Sequence, residues 1–266
     1  MQNIIWELES DKIRKTVLEN KRLDERAFDE YRPIELTTNI SHNADGSCQV
    51  KLGKTEVMVG VKSVLGTPYP DKQNEGSISV NMEFLPIASP EFEYGPPSSE
   101  SIETARVVDR GLREAKALDF TKLCIIEGEK IWVVFLDIYT LNQDGNLFDA
   151  SSIGCLKALS EAKLPKLDEN NVIIPYEYDK KLELKRHPLL STFVKIGNSV
   201  LVDPTLGEEK ASSARFSIAT TEDDYITAFQ KGGKASGSFS VQEIDQCIET
   251  AFKRAKELRK KFFGKK

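Results

Sequence analysis

From Ser47 to Val64 the chain alternates apolar and polar residues with a period of two: Val50 and Leu52, then Val57, Val59 and Val61, on either side of a Gly53-Lys54 link. A helix turning about 100° per residue would scatter these groups around its axis, whereas a pleated strand gathers them on one side. The segment predicts a β-hairpin with one buried face.

Around it the pattern changes several times. Residues 1–20 read as an amphipathic helix through Ile4, Ile5, Leu8, Ile13 and Val17, an appendage packed on the main body. Arg22, Asp24, Arg26, Asp29 and Arg32 crowd the stretch that follows, as in a salt-bridged loop leading into a strand. After the hairpin come the loop LGTPYPDKQNEG, a strand over 77–85, a helix over 101–119, strands near 122–127 and 131–141, and a helix over 149–162. The stretch KLPKLDENNVIIPYEYDKKLELKRHP, with three prolines and many charges, reads as a polar connector with a boundary near residue 187. Beyond it, strands are expected at about 191–196, 199–203, 213–220 and 224–230, then a helix from Val241 to about Lys260 that opens on a Ser240/Glu243 capping box. This predicts an N-terminal helix (1–20), a core unit (21–187) and a C-terminal unit (188–266). Strand groups followed by helices recur in both units, so the fold class is α/β (α+β), with duplicated mixed-sheet βα units and a C-terminal helix.

Composition narrows the function classes. The 266 residues carry a net charge of −5, so the surface as a whole does not attract nucleic acid and any such binding needs a local patch. Charges at Glu7, Glu9, Asp11 and Lys12 interrupt any apolar run at the start, which predicts an intracellular, cytoplasmic protein without a membrane span. Cys48, Cys124, Cys155 and Cys247 stand singly, and only His42 and His187 are present, so neither a zinc site, a disulfide framework nor a Ser-His-Asp triad is suggested. No cofactor is implied.

The local patch lies in SIETARVVDRGLREAKALD, residues 101–119. Arg106, Arg110 and Arg113 fall within an arc of about 60°, while Val107, Val108, Leu112, Ala115 and Leu118 gather opposite. Planar guanidinium forks suit phosphate and carboxylate oxygens, so the face is either an anion-holding stripe or an ordinary solvated surface. Two other segments invite comparison with binding elements. The loop from Gly66 to Gly76, with Tyr69 and Lys72, offers an aromatic and a cation suited to single-stranded nucleic acid, or is a mobile surface loop. KGGKASGS at 231–238 lacks P-loop spacing and reads as a turn.

ERAFDEYRPI followed by GSCQVKLGKTEVMVGVK resembles the entry into the RNase PH family. The run ARVVDRGLREAKALDFTKLCIIEGEKIWVVFLDIYTLNQDGNLFDASS is similar to the non-catalytic branch of that family found in the archaeal exosome. The resemblance spans roughly residues 20–260. It implies a duplicated RNase PH-like fold, and a six-membered ring in which three copies alternate with three copies of a catalytic RNase PH-like partner, with RNA-binding cap proteins on the ring. It also implies that single-stranded RNA is shortened from its 3′ end with inorganic phosphate as attacking group. By motif, Arg106 and Arg110 would contact RNA phosphates near the partner's active site, and Arg113 shares their face.

The chain departs from the active branch twice. Where that branch binds phosphate with a Gly-Gly-Thr-Arg turn, this sequence reads Asp144-Gly145-Asn146-Leu147-Phe148, and Phe148 cannot bind phosphate. Where the catalytic aspartate is expected stands Arg215, whose permanently protonated guanidinium cannot act as a general acid or base. No catalytic residue is therefore assigned. Nearby Asp203, Glu208 and Glu209 keep the acidic character of the segment, the two glutamates as solvated loop charges. The rival readings are an autonomous phosphorolytic exoribonuclease using Asp203 or Glu209, and an acidic scaffold whose arginine face grips a protein partner.

Overall fold

The structure, a computed structural model, describes residues 2–233 and 236–264, with side chains from Trp6 onward. Helix α1 (Gln2–Leu18) precedes a six-stranded sheet of β1 (Ile34–Thr38), β2 (Gly46–Leu52), β3 (Thr55–Gly66), β4 (Ser77–Phe84), β5 (Cys124–Ile126) and β6 (Lys130–Asn142). Its order is β1-β2-β3-β6-β4, with β5 also paired to β6. The expected hairpin is β2–β3, turning at Gly53 with φ +58°, and Val50, Leu52, Val57, Val59 and Val61 are all fully buried. β4 runs parallel to β6, and a parallel pair requires a crossover. The connection contains the helix α2 (Ser99–Glu114), which packs on β4.

Helix α3 (Leu147–Glu161) covers β2 and β3 at close range: a Cβ on Gly154 would stand 2.8 Å from a Val59 methyl carbon. The stretch expected to be a polar connector instead forms a two-stranded sheet, β7 (Lys163–Leu167) and β8 (Ile173–Lys181). Asp168 builds the turn between them, its carboxylate accepting the Asn170 and Val172 N–H groups at 2.8 Å each. Two of the prolines, Pro165 and Pro175, are accommodated at an isolated ribbon with broken register, where a missing donor costs no ladder bond of a central strand.

The second sheet comprises β9 (Leu189–Ile196), β10 (Ser199–Val202), β11 (Ala214–Thr220) and β12 (Ile226–Gly232) in the order β10-β9-β11-β12. It is antiparallel throughout, so mixed direction is confined to the first sheet. A short helix α4 (Leu206–Ala211) interrupts it, and α5 (Val241–Phe263), capped by the Ser240/Glu243 box, packs on β9 and β11. Helices α2 and α3 touch strands of both sheets, and one apolar core runs from the β2–β3 hairpin through both helices to Leu189, Leu190 and Ala219. The fold is thus two βα units sharing a helical middle layer, with α5 on the outer face of the second sheet.

α1 seats Ile13 and Val17 against Val194, Ile196, Leu201 and Ala211, as expected of a packed appendage. Leu8, read as part of its buried stripe, is 67% exposed, and the side chains of Ile4 and Ile5 lie outside the described residues. In the 231–238 stretch Lys234 and Ala235 also lie outside them. No described helix is long and apolar enough to cross a membrane.

Candidate nucleic-acid interface

Helix α2 begins at Ser98, whose hydroxyl accepts the Ser101 N–H at 3.1 Å and so satisfies one of the free donors of the first turn. Val107, Val108, Gly111 and Leu112 are buried, and Gly111 sits at ordinary contact distance, 3.5 Å for a built Cβ, from the Ala219 side chain. The opposite face carries the arginines at the predicted spacing. Arg106 and Arg110 are exposed, and among the described residues neither has a hydrogen-bond or ion-pair partner. Arg113 differs. Its Nε and Nη2 are held by the Asp109 carboxylate at 3.1 and 2.9 Å, and Nη2 also donates to the Ile78 carbonyl at 2.6 Å. It braces α2 onto β4, and only part of its guanidinium faces solvent.

Beside the first turn of α2 opens a cleft of about 670 Å³ lined in part by Trp6, Phe92, Glu100, Gln143, Glu209, Lys210 and Arg215. The two departures from the active pattern meet at its edge: the Arg215 guanidinium lies over the Phe148 ring, 4.2 Å from its centroid. Arg215 Nη2 also donates to Glu103 of α2 at 2.7 Å. The other cation of the cleft, Lys210, is paired with Glu91 and lies 3.5 Å from the centre of the Trp6 ring. Both cations are thus internally engaged. Glu209 accepts the N–H of Asn146, the residue capping α3, at 2.9 Å. Its burial pushes the carboxyl up to about 7 against the pull of that N–H and of Arg215, with Glu100 adding to the rise. A phosphate dianion entering here would meet Glu100 and Glu209, with no free cation among the described residues lining the cleft to offset them.

Asp203 and Glu208 lie behind the cleft rather than in it. Asp203 is fully buried and receives Arg32 through its backbone N–H, Nε and Nη2 at 2.7 to 2.9 Å, Arg26 at 3.0 Å and the Asn146 amide at 2.7 Å. Burial alone would raise its pKa, but the Arg32 contacts outweigh it and hold the carboxyl below its usual value. Glu208 is not the solvated loop charge expected from sequence. It is 4% exposed, takes Arg22 in a two-pronged pair at 2.8 and 2.6 Å, and closes the Thr205/Glu208 capping box of α4. Glu209, expected to be solvated as well, is half-buried in the cleft wall. Gly145, at φ +87°, passes so near Thr205 and Leu206 that a Cβ would collide with their backbone, which locks the 144–148 turn to this segment. Asp149 completes the network, bonded by Tyr31 at 2.7 Å and by the Thr192 hydroxyl at 2.8 Å, its pKa pushed up to about 6 by burial.

Sequence reasoning missed Glu103 and Lys210, whose roles depend on partners more than a hundred positions away. The α4 capping box was readable from Thr205 and Glu208, three residues apart, by the rule that marked Ser240 and Glu243.

Two profiles of the 3′ exoribonuclease family match this chain, domain 1 over residues 30–165 and domain 2 over residues 188–254. The chain belongs to this RNase PH family. Among its relatives, the exosome complex component Rrp42 of Pyrococcus horikoshii is 45% identical over 253 residues, 94% of this chain and 92% of the relative. Rrp42 of Methanosarcina acetivorans is 42% identical over 97% of this chain and 95% of its own length. A subunit in the structure of the Archaeoglobus fulgidus exosome with RNA bound to the active site has a TM-score of 0.90 and 40% identity, covering 97% of this chain and 99% of that one. RNase PH-like architecture therefore extends over both units, as the sequence led us to expect.

Proposed function

We propose that the chain is the non-catalytic RNase PH-like subunit of an exosome, a 3′-to-5′ phosphorolytic RNA-degrading ring in which it alternates with a catalytic partner. In this reading it completes the partner's active site and lends Arg106 and Arg110 to the phosphates of single-stranded RNA, with Arg113 adding its charge while bracing the helix. The units divide near residue 187, RNA-binding cap proteins sit on the ring, and the assembly works in the cytoplasm.

The observation that carries the proposal is the opposite fate of two sets of cations. On one side, Arg215 is spent on Glu103 and Phe148, where an active subunit would need an acid and a phosphate-binding arginine. On the other, Arg106 and Arg110 project from a rigid helix without an internal partner among the described residues. A dianionic nucleophile attacking an anionic diester needs cations nearby, and among the described residues Arg106 and Arg110 stand free outside the cleft while its own cations are engaged.

The test is phosphorolysis of a 3′ single-stranded RNA in phosphate and magnesium. The chain alone should release no nucleoside diphosphate, and the chain assembled with a catalytic partner should release it. Release by the chain alone, abolished by Glu209→Gln, would overturn the proposal in favour of an autonomous enzyme.

A further inference from the structure

The cleft beside α2 has the wrong polarity for an anion and the right one for a cation. Each of its cations carries its own acid, Lys210 with Glu91 and Arg215 with Glu103, whereas two acids along its wall are uncommitted. Glu100, in the first turn of α2, has no side-chain partner among the described residues, and Glu209 takes a single hydrogen bond, through Oε1, from the Asn146 N–H. The two lie near enough for the charge of Glu100 to add to the rise of the Glu209 pKa.

An unmet acceptor lines the same wall. Gln143 Oε1 is buried, and among the described residues no donor reaches it. The backbone fixes its place beside Glu209: the Leu206 N–H, at the start of α4, donates to the carbonyl of the adjacent Asp144 at 3.0 Å, and the Asn146 N–H reaches Glu209 within the next turn. The buried donor in the same condition, Arg215 Nε, belongs to a guanidinium whose charge Glu103 already meets. Lys210 shows how the cleft treats an ammonium group, since its Nζ lies 3.5 Å from the centre of the Trp6 ring and against the Glu91 carboxylate. Phe92 adds a second ring to the wall, stacked on Phe84 with centroids 4.4 Å apart.

We infer that the cleft is a binding site for a small organic diammonium ion. Its two charges match the carboxylates of Glu100 and Glu209, its N–H groups supply the donor that Gln143 lacks, and its methylene chain lies along Trp6 and Phe92. A metal dication suits this lining poorly: hard cations take six or more oxygens, and no group of three or more metal-binding side chains occurs among the described residues. The inference does not draw on the RNA contacts of Arg106 and Arg110 and fails or holds apart from them.

The experiment is a calorimetric titration of the full chain with 1,4-diaminobutane, and separately with inorganic phosphate and with magnesium chloride, at constant ionic strength. One diamine should bind per chain, and Glu209→Gln and Gln143→Leu should each weaken it about tenfold or more. Glu169→Gln, an exposed acid outside the cleft, should bind as the unaltered protein does. Arg215 and Arg32 favour the ionised form of Glu209 while burial and Glu100 oppose it, so that it titrates near 7. Affinity should therefore rise about tenfold from pH 6 to pH 8, and Glu209→Gln, which keeps an acceptor for the Asn146 N–H, should abolish the rise. No binding, affinity unchanged in Glu209→Gln or independent of pH, an equal loss in Glu169→Gln, displacement of the diamine by equimolar magnesium, or binding of phosphate in its place would each overturn the inference.

Discussion

Arginines in this molecule follow two opposite rules. Arg22 and Arg32, in the segment before β1, are 3% and 6% exposed and bind carboxylates 186 and 171 positions away, at Glu208 and Asp203. Arg106 and Arg110 of α2 are exposed and bind nothing among the described residues. The side-chain chemistry is the same, and what differs is the distribution of acids around it. The first set closes the interior between the two units, where a lone charge would be costly and each guanidinium is matched by a carboxylate and by backbone carbonyls such as those of Asp144 and Gly145. On the second set the nearest turn of helix spends Asp109 on Arg113 and Glu103 on Arg215, leaving Arg106 and Arg110 for an anion from outside. In the proposed reading, an acidic protein holds RNA by engaging the acids of one helix elsewhere rather than by being basic overall.

The contrast is open to measurement. Arg32→Met should be the most damaging change, because it leaves Asp203 buried without its main partner; a loss of about 4 kcal/mol in denaturant unfolding is expected, with Arg22→Met close behind. A loss under about 1 kcal/mol would mean that the interior pairs are not structural. The next effect is pH-dependent and isolates Glu209. Its native pKa of about 7 lies above the usual 4.5, so the native state holds an additional proton between those values and stability falls as pH rises through that window. Glu209→Gln removes that slope while keeping an acceptor for the Asn146 N–H, so it should gain about 2 kcal/mol on the unaltered protein between pH 4.5 and 8. Parallel stability–pH curves would show that the carboxyl is not shifted. The smallest effect on stability belongs to the arginine face: Arg106→Ala with Arg110→Ala should change unfolding free energy by less than about 0.5 kcal/mol, since neither side chain supports the fold.

Local patterns carried the elements, and distant pairings decided the site. The β2–β3 hairpin, α2 and α5 were legible because period two, period 3.6 and a capping box are each written within a few residues. The β7–β8 ribbon was obscured by its prolines and charges, which are tolerated on an isolated two-stranded sheet but otherwise mark a connector. Glu208 and Glu209 look alike in sequence, yet one is sealed against Arg22 and the other stands in the cleft with a raised pKa, a difference set by residues some 60 to 190 positions away. Phe148 and Arg215 could be recognised as departures from the active family pattern, while their stacking on one another appears only in three dimensions.

The central claim, that free guanidiniums on α2 hold RNA phosphates, is tested most directly by the salt dependence of single-stranded RNA binding to the assembled ring. Each phosphate contact contributes about 0.7 to the slope of log affinity against log salt, so Arg106→Ala with Arg110→Ala should lower its magnitude by about 1.4 while the ring stays assembled. An unchanged slope, or a ring that falls apart when the two arginines are removed, would contradict it.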